Sequence, residues 1–219
     1  MDKNTILKDE KNSNFIKQYS SYLKYKEKGI NNDLISFYYQ FNHLKNIYRQ
    51  GWLKGLLDIS KFVDVESIAD HTWSVAMLAM SLIEKYKLDY DIAKCMKLAL
   101  VHELGEIYAG DFTPRDNITK ERKHELERES VESVLDSIKF ENDFLEIWEE
   151  FENQETEEAK FIKQIDKLEC VMQASCYGLD VSYMTSSIDN ITLPYLKEIV
   201  DELKDITQGN EIPYCLKNK

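Results

Sequence analysis

Glycine and proline are scarce, with seven and three in 219 residues. Turn-rich β folds need both residues, so their scarcity argues against a sandwich or barrel and favours long helices. Cysteine is sparse too. Cys95, Cys170, Cys176 and Cys215 form no CxxC pair, which removes zinc-ribbon and thioredoxin-type motifs. Two of them fall in helical stretches, and reduced, partly buried thiols suit a cytoplasmic protein. No stretch approaches 18 apolar residues, so no membrane span is expected. The opening MDKNTILKDEKNSNF has no apolar signal core and reads as carrying no secretory leader. Positive charge is in deficit: 28 Lys and Arg stand against 40 Asp and Glu, for a net charge of −12. Such a field repels nucleic acid and anionic membranes, so neither is an expected partner. It also repels phosphate esters, so a phosphate site here needs a metal or local Lys and Arg.

What remains is helical periodicity. Residues 1–30 are rich in Lys, Asn, Ser and Tyr and read as a helical or partly disordered N-terminal extension. Residues 31–219 read as one all-α domain. An Asn-Asn-Asp cap at 31–33 precedes Leu34, Phe37, Tyr38, Phe41, Leu44, Ile47 and Tyr48, which predict an amphipathic helix ending before Gly51. Asp70 is placed to cap a second helix with the stripe Val75, Leu78, Ala79, Leu82, Ile83 and Tyr86. A third helix begins near Asp89 or Asp91, with Ile92, Cys95, Ala99, His102 and Glu106 on one face and Gly110 just past its end. Residues 111–117 read as a loop. Further helices are predicted over 118–138, 141–152, 155–177 (ended by Gly178) and 193–206.

Four places carry chemistry. In LALVHELGEI, the pair His102-Glu103 follows an apolar run, and buried ionisable groups need a partner or a metal. A helix surfacing here with a solvated pair is the alternative. The zinc-protease motif HExxH is excluded because its fifth position is Glu106. His71 opens a helix in ESIADHTW, where a surface or capping role competes with ligation. Asp166 lies on a stripe with Ile162 and Ile165, and pairing with Lys163 or Lys167 is its plainer use. Asp111, three residues before Pro114, is placed as an Asx turn would be. Together these give two imidazoles and two carboxylates from three helices, a set suited to a divalent ion that keeps positions open for water and substrate.

In ESIADHTW, LALVHELGEIYAGDFTPRDNITKERKH and EEAKFIKQIDKLECVMQAS, in that order, the chain resembles the HD-domain superfamily of metal-dependent phosphohydrolases. Within it the sequence is most similar to the 5′-deoxynucleotidase group, which hydrolyses deoxyribonucleoside 5′-monophosphates. The resemblance runs from about Arg49 to Gly178. It implies a compact helical bundle, commonly a homodimer, with one divalent metal held by His71, His102, Glu103 and Asp166. Cobalt or manganese is the favoured ion, with magnesium, zinc, iron or nickel as alternatives. It further implies that Glu106 and Asp111 handle the attacking water and the leaving group. Arg49 and Trp52 are implied to frame the nucleotide, with Arg49 as a fork for the phosphate. The sequence departs from the family at Glu103, where the pattern has Asp, and residues 1–30 have no counterpart. A weakened HD module that senses nucleotides stays open as the alternative, as does hydrolysis of another nucleotide. The absence of a further His pair argues against a two-metal cyclic phosphodiesterase.

Overall fold

The computed structural model describes residues 29–57 and 65–212. The extension expected over 1–30 lies outside the described residues except for its last two. The described chain forms two units interleaved in sequence, one of residues 29–50, 65–70 and 101–149, the other of 51–57, 71–100 and 150–212. All secondary structure among the described residues is helical apart from two isolated bridges, so the all-α expectation holds. No helix among the described residues is long and apolar enough to cross a membrane.

In the first unit, α1 spans Asp33–Phe41, and the Asn32 side chain caps it by accepting the Ile35 N–H. The helix predicted to reach Tyr48 stops earlier. A 3₁₀ turn follows over Asn42–Asn46, and Ile47 is extended. The reason is tertiary: Ile47 O accepts from Ile68 N, Arg49 N donates to Glu66 O, and Tyr48 bridges Ser67. This pairing overrides a helical pattern in a segment ending on β-branched Ile47. After Val101 come the short α4 (Glu106–Ala109) and α5 (Lys120–Leu135). Leu44, Ile47, Ile68, Val101, Leu104, Ile107, Tyr108, Val131, Val134 and Trp148 form this unit's core. Tyr108 Oη–H donates to Gln40, whose own amide reaches Val134 O and Ser137, so the polar tips inside the core are bonded rather than stranded.

Helix α2, Ile68–Tyr86, starts in the first unit and continues into the second. Its cap is Ser67 rather than Asp70. Asp70 N–H donates to Ser67 Oγ at 3.2 Å, and the Asp70 carboxylate accepts the Ser67 N–H at 2.8 Å, which makes a reciprocal capping box. Helix α3 (Ile92–Val101) is capped by Asp91, which accepts the Ala93 and Lys94 N–H groups. It ends before His102, so the single helix expected through Glu106 is instead two helices joined by a turn. Helix α6 covers Phe144–Asn153 and α7 covers Glu157–Cys176, with Thr156 as cap and Gly178 (φ +72°) beyond its end. Along α7, Ala159, Ile162, Ile165, Asp166, Glu169 and Ala174 are all buried. Helices α8 (Thr185–Ile188) and α9 (Pro194–Thr207) pack on α7. Gln164 of α7 accepts the N–H groups of Thr192 and Leu193, tying the start of α9 to the helix.

Candidate metal and phosphate site

In the first unit the break between α3 and α4 positions the site. Leu104 N, Glu106 N and Ile107 N bond back three residues, to Val101, Glu103 and Leu104, instead of four. This tight turn re-aims His102 and Glu103, which a continuous helix would set about 100° apart on its surface. His102 is buried, and its Nε2 lies 3.4 Å from Glu103 Oε1. The same Glu103 oxygen accepts from Arg49 Nη1 at 3.2 Å, and Arg49 Nε lies 3.9 Å from Glu66. Glu106 opens α4 and is 3 % exposed, and its Oε2 has no hydrogen-bond partner among the described residues. Burial, with Glu103 and Asp111 adding to it, raises the Glu106 carboxyl well above the usual range, although Arg49 and Lys123 oppose the shift. Asp111 accepts the Gln50 N–H at 2.6 Å. Burial raises its carboxyl as well, and Glu103 adds to that, while Arg49 and the Gln50 N–H pull it down. Asp111 thus closes onto a distant backbone rather than capping its own loop. Asp116 serves the loop instead, in a capping box with Thr113.

In the second unit His71 lies on α2 with no exposed surface. Its Nδ1 meets Glu169 Oε2 at 2.6 Å, and its Nε2 lies 3.3 Å from Asp166 Oδ1. Glu169 and Asp166 come from α7, three residues apart and therefore on one face. A carboxylate on Nδ1 takes that N–H and leaves the lone pair on Nε2, an arrangement ordinary for a ligating histidine. Burial would raise the Asp166 carboxyl, but Lys167 at 2.9 Å, His71 and Lys163 outweigh it and hold the group well below the usual carboxylate range. Trp52 is buried and meets Tyr177 edge-on, with ring centroids 5.3 Å apart.

Each unit therefore presents an imidazole Nε2 beside a carboxylate oxygen, the nitrogen and oxygen donor chemistry that a borderline divalent ion takes. The donor set fits a metal. Within the first unit the structure brings together Arg49, His102 and Glu103, with Glu106 and Asp111 as their charged neighbours. Within the second it brings together His71 and Asp166. Sequence reasoning missed Glu169, Glu66, Gln50 and Lys123. The signal for Glu169 was present: an acid one helical turn beyond Asp166 on an otherwise apolar stripe.

Residues 41–203 match the family described as HD domain. The chain is 34 % identical over 180 residues to a mouse protein named 5′-deoxynucleotidase HDDC2, covering 78 % of this chain and 86 % of that one. The human protein of the same name is 33 % identical over 180 residues, covering 78 % and 84 %. Among solved structures, a conserved hypothetical protein from Pyrococcus furiosus is similar with a TM-score of 0.62 and 28 % identity, over 78 % of this chain and 99 % of that one. A family match across residues 41–203, on an all-helical scaffold that buries acid-paired histidines, makes this chain a member of the HD-domain family.

Proposed function

We propose that this HD-domain protein is a metal-dependent phosphomonoesterase that converts deoxyribonucleoside 5′-monophosphates to deoxynucleosides and phosphate. The observation that carries the proposal is the buried His71, oriented through Nδ1 by Glu169 so that Nε2 is turned toward Asp166. Similarity to proteins named 5′-deoxynucleotidase supports the substrate class.

In this reading His71, His102, Glu103 and Asp166 hold one divalent ion, since all four carry donor atoms that such an ion takes. When bound, the ion supplies positive charge to the phosphate oxygens and acidifies water. Manganese or cobalt is the ion we favour. Glu106 is the group that accepts and returns a proton, because its buried carboxylate has an oxygen without a hydrogen bond among the described residues. Asp111, fixed by the Gln50 N–H, orients the attacking water and assists the leaving alkoxide. Arg49 clamps the phosphate, and Trp52 with Tyr177 walls the nucleoside. Glu103 keeps the carboxylate that the family pattern supplies as Asp, one methylene longer. The HD domain is taken as residues 31–219 and the protein as a cytoplasmic homodimer; its buried Cys95 thiol suits a reducing compartment.

Purified protein should release phosphate from deoxynucleoside monophosphates with added manganese or cobalt, and stop on chelation. His102→Ala and Asp166→Ala should each abolish turnover. Full activity in either variant refutes the ligand set, and bound metal without turnover on any nucleotide refutes the enzyme.

A further inference from the structure

Arg49 is the cation that the family resemblance assigns to the phosphate, yet the first unit places a second one among the same acids. Helix α5 turns Lys123, Glu127, Ser130, Val131 and Val134 to one side, and all but Lys123 are buried. This side meets α4. Ser130 Oγ accepts the Tyr108 N–H at 3.0 Å, and a Cβ on Gly105 would lie 2.7 Å from Glu127 Cβ. Glu127 lies against Gly105, and Lys123 stands one turn before it on this face, beyond the Gly105 end of α4. Its Nζ lies 3.2 Å from Glu127 Oε1; the two side chains are 39 % and 6 % exposed. Its electrostatic neighbours beyond Glu127 are Glu106 and Glu103. An exposed pair at this spacing would be an ordinary helix stabiliser. Here the acid is buried in an approach that only a residue without a side chain at 105 permits, so the ammonium is held in place. Glu127 Oε1 takes one of its three donors, which leaves donors for a phosphate oxygen.

We propose that Lys123 is a second phosphate-binding cation of this site and that Glu127 is the residue that positions it. The proposal rests on the phosphohydrolase reading above. Charge gives it an unusual signature. Without Lys123 the acid set is more negative, so an anion binds more weakly while a cation binds no less tightly. A structural lysine would weaken both when removed.

The test uses the full chain with manganese and compares Lys123→Met, Lys123→Arg and Glu127→Gln with wild type. Inorganic phosphate is the inhibitor, dAMP the substrate, and manganese affinity is read by calorimetry. Lys123→Met should raise the phosphate inhibition constant and KM about 10- to 100-fold, the scale of one hydrogen bond to a charged group. Its manganese affinity should be equal or tighter. Lys123→Arg should restore most of the loss, and Glu127→Gln should fall between. Unchanged phosphate inhibition and KM in Lys123→Met overturns the proposal, as does parallel loss of phosphate and manganese. If Lys123→Met does not fold, Lys123→Gln is judged by the same constants. A wild type inert on every nucleoside monophosphate refutes the phosphohydrolase reading instead; direct phosphate titration of wild type and Lys123→Met then still decides the role of Lys123.

Discussion

Replacing Gly105 by Ala should destabilise the protein, against the ordinary direction of that change. Gly105 has helical dihedrals, φ −60° and ψ −30°, and nothing in its backbone forbids a side chain. On propensity alone, Ala in place of Gly at a helical position would stabilise by about 1 kcal/mol. Space reverses the sign. The new Cβ would lie 2.7 Å from Glu127 Cβ and 3.2 Å from both Glu127 Cα and Cγ. The first two atoms are fixed to the α5 backbone and cannot rotate away, so α4 or α5 must shift. Overpacking costs roughly 1–3 kcal/mol, and two of the three atoms met here cannot yield, which places this case near 2–3 and leaves a net loss of about 1–2 kcal/mol after the propensity gain of about 1. With m about 2 kcal/mol/M in urea, the midpoint should fall by roughly 0.5–1 M at unchanged m. A cycle with Glu127→Gly isolates the contact, because that change removes the Cβ at 2.7 Å while leaving the Cα. The double variant should be more stable than the sum of the two singles by about 1 kcal/mol. A Gly105→Ala protein as stable as wild type, or more so, refutes the close-approach account of α4 on α5.

Three further outcomes follow from buried groups. His43 is 2 % exposed, and burial lowers its pKa to about 4 from 6.5, so it stays neutral in the fold while the unfolded chain takes up a proton. Its contribution is intact above pH 6.5 and lost as pH falls toward 4, a difference of roughly 3 kcal/mol; His43→Gln should flatten the acid limb of the urea midpoint over that window. Cys95, with its thiol pushed up to about 12 by burial, should resist alkylation at pH 8 in the native state while exposed Cys176 reacts, as read by peptide mass spectrometry. Equal labelling of the two would contradict the packing of α3. Glu169→Gln should weaken manganese binding about 10- to 100-fold by loosening His71, with calorimetry as the measure and unchanged affinity as the contrary result.

Most of the helices were legible because their apolar residues recur with helical spacing and their ends carry strong signals. Thr156 and Gly178 bracket α7 close to where the sequence placed its ends, and Asp91 caps α3 as expected. Local reading erred where distant backbone intervened. The helix expected through Tyr48 ends at Phe41 because Ile47 and Arg49 bond to residues near α2. The α3–α4 break fell inside an unbroken apolar pattern, so His102 and Glu103 seemed to share a helix when a three-residue turn re-aims them. Asp70 fits the cap position by its spacing, yet Ser67, three residues earlier, is the cap and completes a box with it. The sequence singles out His71, His102, Glu103 and Asp166 as candidate ligands, and the ligand set remains the proposal made above. The partners of these groups are harder to read, because Glu169 on His71 and Gln50 on Asp111 are contacts across 98 and 61 positions; only the spacing of Glu169 from Asp166 hints at one of them.

The carboxylate that opens α4 has a wider consequence. Desolvating an acid oxygen without giving it a hydrogen bond costs the native state roughly 1–3 kcal/mol. An apolar substitute at 106 escapes that penalty. If Glu106 has the proton-transfer role proposed above, a selection for heat resistance alone would drift toward sequences that have discarded it, enriching robust but inert proteins. On that proposal turnover must be scored alongside survival at every round, since endurance and chemistry would pull this one position in opposite directions.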